Sequence, residues 1–478
     1  MTSKFVLLLW ILLSFSFNPF CMAMTSYDQV PLFNKIPHLQ RLSLQLILDR
    51  VKIKPYRGLV RQLGRDLKIT GRERGIYKTQ TIGYNIRHYD LHDITVVVDE
   101  NYNVISIDLE RQGTNARLDA LNIFDQFPYL RTLKVSRLKL SGLIRVPKMK
   151  QLEILFINAN RISEITGLEK LPKLDYLNLS SNRLKAIPRL PKTLRYLNIS
   201  SNDIEKFNNL DNLVNLKALK MVGRYPNADW VLKMENLDAL TNLEELELSS
   251  QPIIRIENLD KLKKLRHLVL YDTKISEISG ISHLKSLEFL MVTDSLQRIS
   301  GLNNLPSLRS VYLSNNKIKK IENMERLPQL RHLELSGNPI SEIENMDKLT
   351  NLEKLDLSKT KISKIAGLNQ LKNLKALNLR NTSIKKIENL SGLNNLEDLD
   401  LASTSVARIE NLESNINLRS INLTDTNVNK IENLFHLKKL TSVRFPRLLH
   451  SDDNPDFVQA LNFMAENRKR RDSAEIKP

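Results

Sequence analysis

The chain has 478 residues, a single cysteine and a net charge of +19, with 41% apolar and only 6% aromatic residues. That composition excludes a disulfide-stapled domain and argues against disorder, because ample aliphatic surface is available for burial. The length would allow two or three ordinary domains, but an internal period of about 22 residues overrides that estimate.

Residues 1–23 carry an apolar run from Phe5 to Phe17 after Lys4, then Cys21, Met22 and Ala23, in the form of a secretory signal peptide. The run is shorter than the roughly 20 residues a spanning helix needs. Export with cleavage near Met24 is therefore expected, leaving no transmembrane span, and an uncleaved anchor is the alternative. Acylation of Cys21 is disfavoured by the Asn18, Pro19 and Phe20 that precede it. Once Cys21 is removed, no thiol remains for a disulfide, a metal site or a nucleophile. Residues 24–102 form an N-terminal cap region with a helical candidate over 38–50. At its end, Ile94–Val98 and Val104–Leu109 flank a polar stretch from Asp99 to Asn103, which predicts a hairpin leading into the first repeat.

Residues 103–450 are about 15 repeats. Leu330, Leu333, Leu335, Ile340, Ile343, Met346 and Leu349 recur one period on as Leu352, Leu355, Leu357, Ile362, Ile365, Leu368 and Leu371. The pattern Leu-x-x-Leu-x-Leu places its last two leucines on one side of a short strand, and successive units pair those strands in parallel. The ninth residue is polar: Asn160, Asn182, Asn202, Asn316 and Asn338 in some units, Thr273, Thr360, Thr382, Thr404 and Thr426 in others. Such a side chain satisfies backbone groups where the chain leaves the strand. The remainder of each unit steps in threes, which suits a 3₁₀ turn or irregular outer segment. One unit alone cannot offset its ordering entropy, so the array must stack and be capped. The fold class expected is an α/β solenoid, a horseshoe with a parallel concave sheet.

The unit from Asn215 to Thr241 is about five residues longer than its neighbours and contains Arg224 to Trp230, expected as a loop. Trp230 is either a displayed anchor or a plug for the irregularity. Residues 451–478 form a capping helix and basic tail. Asn454 precedes Pro455, and Phe457, Val458, Leu461 and Met464 are expected to cover the last repeat, with Arg468 to Arg471 at the helix's negative end.

Six units carry Ile-Glu-Asn before Leu or Met, at Ile256, Ile321, Ile343, Ile387, Ile409 and Ile431. This resembles the 22-residue class of leucine-rich repeats found in the bacterial internalins and in the leucine-rich regulatory subunit of protein phosphatase 1. The unit Ile187 to Leu197, with Pro188, Leu190 and Pro191, is similar to the repeats of bacterial effectors injected into host cells. The cysteine-dependent ligase such effectors attach is excluded, because no cysteine follows Cys21.

Curvature puts the strands on the concave side, the usual partner-binding face of such arrays. The polar position between the paired leucines runs Asp108, Lys134, Phe156, Asn178, Asn198, Lys220, Glu247, Val269, Met291, Tyr312, Glu334, Asp356, Asn378, Asp400, Asn422 and Arg444. Its middle is apolar and aromatic, with His267, Tyr271, Phe289 and His332 beside Val269, Met291 and Tyr312. It then turns acidic through Glu334, Asp356, Asp398 and Asp400. Aromatic anchors beside charge are the composition of an interface hot spot, so these eleven residues are the candidate partner-binding site. In the phosphatase-regulator family the aromatic and acidic concave face contacts the enzyme, and the resemblance points to the same face here. Strand propensity alone would also place some aromatics there.

Most of the positive charge lies in the repeats, as at Lys263, Lys264, Lys319, Lys320, Lys385, Lys386, Lys438 and Lys439, and reads as a solvated outer surface; nucleic acid is not an expected partner. His88, Asp90 and His92 are the one metal-like spacing, without a second ligand cluster or nucleophile. No phosphate loop, serine elbow or kinase signature occurs, and no cofactor is called for. Asn178, Asn198, Asn381, Asn389 and Asn422 begin N-glycosylation tripeptides, and glycans on the three concave ones would obstruct the proposed interface. The reading is an exported, monomeric, non-enzymatic scaffold for a protein partner. An intracellular phosphatase adaptor is the alternative and a metal-dependent hydrolase a remote one.

Overall fold

The computed structural model describes residues 87–91, 94–99, 103–109, 120–224, 232–449 and 454–475. The signal-like residues 1–23, the helical candidate over 38–50, His92 and Trp230 lie outside them.

The strands are β1 (Arg87–Leu91), β2 (Ile94–Val98), β3 (Val104–Asp108), β4 (Thr132–Lys134), β5 (Ser141–Arg145), β6 (Ile154–Phe156), β7 (Arg161–Thr166), β8 (Tyr176–Asn178), β9 (Tyr196–Asn198) and β10 (Ala218–Lys220). There follow β11 (Glu245–Glu247), β12 (His267–Leu270), β13 (Phe289–Val292), β14 (Ser310–Tyr312), β15 (His332–Glu334), β16 (Lys354–Asp356), β17 (Ala376–Asn378), β18 (Asp398–Asp400), β19 (Ser420–Asn422) and β20 (Ser442–Arg444). All but β5 and β7 belong to one 18-stranded sheet. β2 and β3 pair antiparallel as the expected hairpin, and β1 adds a further antiparallel strand on β2. From β3 to β20 the pairing is parallel, one strand per repeat. The molecule is a leucine-rich-repeat solenoid.

Most repeat strands bury the middle residue and leave its neighbours half-buried or exposed. Leu333, Leu355, Leu377 and Leu399 are 1–2% exposed, while the residues on either side of each are half-buried or exposed. These aliphatics join those of the outer segments in one continuous core from Val104 to Met464. The outer segments close N–H···O bonds three residues back, as from Leu371 to Leu368 (2.9 Å) and Leu374 to Leu371 (2.9 Å). That step of three explains the spacing of the outer aliphatics. Short 3₁₀ helices occur at Asn122–Gln126, Leu168–Lys170 and Arg447–Leu449. β5 and β7 form a separate two-stranded parallel sheet.

Two asparagine columns tie repeat to repeat. In the first, Asn182 accepts from the Ile162 N–H (3.1 Å) and donates Nδ2 to the carbonyls of Ile157 (3.1 Å) and Leu179 (2.9 Å), so a buried amide satisfies groups in two repeats. Where threonine replaces it, Thr382 Oγ1 donates to the Leu379 carbonyl alone (2.7 Å). In the second, the asparagine of Ile-Glu-Asn takes left-handed backbone, φ 57° at Asn389 and 58° at Asn411, and donates Nδ2 to the preceding repeat. Several other units carry glycine there, as at Gly367 (φ 67°), where an added Cβ would lie 2.6 Å from the Ile343 carbonyl oxygen. The motif behind the family resemblance is thus a requirement of the backbone.

Helix α1 (Pro455–Glu475) closes the C-terminal end. Asn454 Oδ1 caps it, accepting from the N–H of Asp456 (3.1 Å) and Phe457 (3.3 Å), with Pro455 at the first helical position. The expected packing face is corrected in part. Phe457, Ala460, Met464 and Asn467 turn inward, whereas Val458 and Leu461 are 37% and 44% exposed. Asn467 Nδ2 donates to the Leu440 carbonyl (2.9 Å) and Arg468 Nε to that of Thr441 (2.7 Å), so polar groups cap the last repeat's open edge. Nor does the basic run end the helix: the last turn contains no basic residue, and Arg470 and Arg471 pair with Glu466 and Asp472.

Candidate functional site

Parallel register builds the concave face from two columns, the first and third residues of each strand. The third-residue column runs unbroken from Asp108 through Val269, Met291 and Tyr312 to Glu334, Asp356, Asp400 and Arg444. His267, Phe289, His332 and Asp398 occupy the first column. Tyr271 lies just past β12 and is 48% exposed. All eleven sequence-predicted residues therefore fall on or beside one face, at six of the seven strands from β12 to β18.

Within this stretch the side chains form two adjoining regions. His267 meets Phe289 edge-on (5.9 Å between centroids, 81°), and Phe289 stacks on Tyr312 (5.1 Å, 30°). These rings are half-buried, so their edges remain open to a partner. Next to them a groove of about 490 Å³ extends from Tyr312 to Arg444. Its first column mixes the larger His332, Lys354 and Asp398 with the small Ala376, Ser420 and Ser442, and the small ones hollow the face beside the third-residue column.

The groove's carboxylates are held at different strengths. Glu334 Oε1 accepts from Ser314 Oγ (2.5 Å), Asp356 Oδ2 from Asn378 Nδ2 (2.7 Å) and Asp400 Oδ2 from Asn422 Nδ2 (3.0 Å). Asp398 is exposed and accepts no hydrogen bond on its carboxylate among the described residues. Partial burial, with Glu397 adding to it, pushes that carboxyl above the usual aspartate range. His332 places Nδ1 3.3 Å from Ser310 Oγ, and burial, reinforced by Lys354, holds its imidazole below the ordinary value.

Two features of this face escape a reading of the period alone. Phe156, Tyr176 and Tyr196 form a second aromatic ladder on β6, β8 and β9, with Tyr176 and Tyr196 face to face (4.2 Å, 3°). Tyr176 is 7% exposed, and burial pushes its phenol far above the ordinary value. The residues just before the strands form a rim of ion pairs, Asp175 with Arg195, Glu244 with Lys217, Glu288 with Arg266, and Glu353 with both Arg331 and Lys375. The hydrogen bond from Lys375 is the main cause holding Glu353 below the usual carboxylate range.

Of the metal-like spacing, His88 and Asp90 lie in β1 and His92 lies outside the described residues. Among the described residues no three His, Cys, Asp or Glu are placed to hold a metal, and no helix is long and apolar enough to cross a membrane.

Leucine-rich-repeat family models match residues 150–192, 328–370 and 298–340. A comparison with curated protein sequences gave no match. Among solved structures, the internalin InlF of Listeria monocytogenes is 22% identical with a TM-score of 0.53, over 73% of this chain and 89% of that one. The functional domain of InlJ from the same organism, described as including a cysteine ladder, is 18% identical with a TM-score of 0.54, over 72% and 73%. A leucine-rich-repeat protein of Leptospira interrogans is 21% identical with a TM-score of 0.53, over 68% and 81%. At these identities the likeness is one of fold, and with its single Cys21 this chain builds the fold without a cysteine ladder. The chain is a leucine-rich-repeat protein resembling the internalins.

Proposed function

We propose that the protein is a non-enzymatic scaffold, exported through residues 1–23, that seats a protein partner on its concave face between β12 and β18. The observation that carries this reading is the contiguous strip from His267 to Asp400. There, half-buried aromatic edges adjoin an open polar groove, the pairing of anchors and selective charge that concentrates binding energy. The internalin-like fold and the leader-like N-terminus support surface or secreted display. Phe289 and Tyr312 are the anchors, and their neighbours shape the seat.

The test uses the full chain as bait, identification of the captured protein, and a binary affinity measurement with that protein purified. Replacing Phe289→Ala and Tyr312→Ala together is expected to weaken binding by roughly 30-fold or more, the loss typical of hot-spot truncation. The melting temperature should stay close to that of the parent, because neither ring is fully buried. Unchanged affinity with an intact melt would overturn the assignment of this face.

A further inference from the structure

We infer that the groove from Tyr312 to Arg444 seats an extended polypeptide segment carrying two cationic side chains four residues apart. The inference rests on the protein-binding reading above and adds the chemistry of what is bound.

The first argument is charge. The chain is strongly basic at +19, yet the groove is lined by Glu334, Asp356, Asp398 and Asp400 against only Lys354 and Arg444. At physiological ionic strength, charges further away than about 8 Å are largely screened, so a ligand lying in the groove responds to these side chains rather than to the lysines of the outer segments. An acidic trough on a basic protein selects a cationic ligand there.

The second argument is shape. The trough crosses its strands, running from Tyr312 on β14 to Arg444 on β20, and Ala376, Ser420 and Ser442 leave short side chains in its first column on either side of Asp398. A slot of that direction, with short side chains at Ala376, Ser420 and Ser442, fits an extended chain more readily than a helix, whose diameter is about 10 Å.

The third argument is spacing. One acidic pole is Glu334 and Asp356 on β15 and β16; the other is Asp398 and Asp400 on β18, with Ala376 and Asn378 of β17 between them. Strands lie about 4.8 Å apart, so the poles are separated by roughly 10 to 14 Å. In an extended segment, residues four apart share a face and lie about 13 Å apart, whereas residues two apart reach only about 7 Å. Two arginines or lysines at that spacing meet both poles. Asp398, whose carboxylate accepts no hydrogen bond among the described residues, is the acceptor most open to the incoming cation.

The probe is a fluorescein-labelled peptide, Gly-Ser-Arg-Ala-Ser-Ala-Arg-Ser-Gly, titrated against the full chain by fluorescence anisotropy. A peptide with its two arginines adjacent and one with both replaced by glutamine are the controls. The spaced peptide is expected to bind at least about tenfold more tightly than the glutamine control and measurably more tightly than the adjacent one. Asp398→Asn with Asp400→Asn should weaken it about tenfold, and Glu334→Gln, which does not touch the Asp400 hydrogen bonds, should weaken it about threefold. Lys354→Ala should strengthen it, a gain that damage to the fold would not produce. Equal binding of all three peptides, or affinity unmoved by every carboxylate change, would overturn the inference. An anionic polymer competing in the groove more strongly after Lys354→Ala would do the same. If the peptides fail while a captured protein still loses affinity in the Phe289/Tyr312 variant, the cationic assignment falls and the concave seat stands. If both are insensitive, both fall.

Discussion

Two stretches of the same concave sheet, β6 to β9 and β16 to β19, share a backbone and differ in what their side chains do. In the first, Phe156, Tyr176 and Tyr196 close on one another, and beneath them Asn160, Asn182 and Asn202 each bond across two repeats. In the second, the column below is threonine, Thr360, Thr382, Thr404 and Thr426, each bonding within its own repeat. The face above it is small, acidic and hollow. A solenoid can thus be tied tightly at one end and left open at the other, because each repeat answers chiefly to its neighbours.

The largest expected effect breaks the tie in the first stretch. Asn182→Ala leaves the buried Ile162 N–H without its acceptor, while the Ile157 and Leu179 carbonyls keep the Nδ2 donors of Asn160 and Asn202. A loss of about 2 kcal/mol is expected from that one unsatisfied N–H and the bonds given up between repeats. Thr382→Val removes one hydrogen bond while keeping the shape, and about 1 kcal/mol is expected. Urea melts of both variants check this, and equal losses would erase the distinction between the stretches.

A smaller effect runs the other way. Asn415 occupies the outer column held by leucine at Leu371, Leu393 and Leu437, is fully buried, and leaves its Oδ1 without a partner among the described residues. Its Nδ2 reaches the Leu390 and Leu393 carbonyls, which already accept from the N–H groups of Leu393 and Leu396. Asn415→Leu therefore gives up supernumerary bonds and removes an orphaned acceptor, and a gain of about 1 kcal/mol is expected. Destabilisation in the same urea assay would show that the amide is needed where it is.

Legibility in the sequence tracks repetition. The aliphatic columns, the ninth-position polar residues and the placement of all eleven candidate residues depend only on a period of about 22, and the structure has them in register. Register puts Tyr176 beside Tyr196 in one column, but it does not say that the two rings close face to face and bury each other. β1 escapes notice because Arg-His-Tyr-Asp-Leu has little of the apolar content by which a strand is recognised. The capping face is misphased when Val458 and Leu461 are preferred for their apolar side chains. The interior there takes Asn467, whose amide supplies a donor that the last open carbonyls require. The trough is invisible because it is made by what Ala376, Ser420 and Ser442 lack.

The smallest effect, and the one that separates the open stretch from the closed one under solution conditions, is its response to acid. Asp398 faces Lys354 and Arg419 as well as Glu397, and its carboxyl takes up a proton at higher pH than an ordinary aspartate. Its attraction for a cation is therefore present above that raised value and is lost as the pH falls through it. His332, facing Lys354, Arg331 and Glu353, stays neutral to lower pH than an ordinary histidine, and once protonated it adds repulsion. Affinity for the spaced arginine peptide should decline as the pH is lowered from about 7 toward 4, because both the loss of carboxylate charge and the gain of histidine charge weaken the attraction for a cation. Asp398→Asn should start weaker and decline less over that range. An identical slope in parent and variant would mean that Asp398 does not meet the cation, and would move the pole to Glu334 and Asp356.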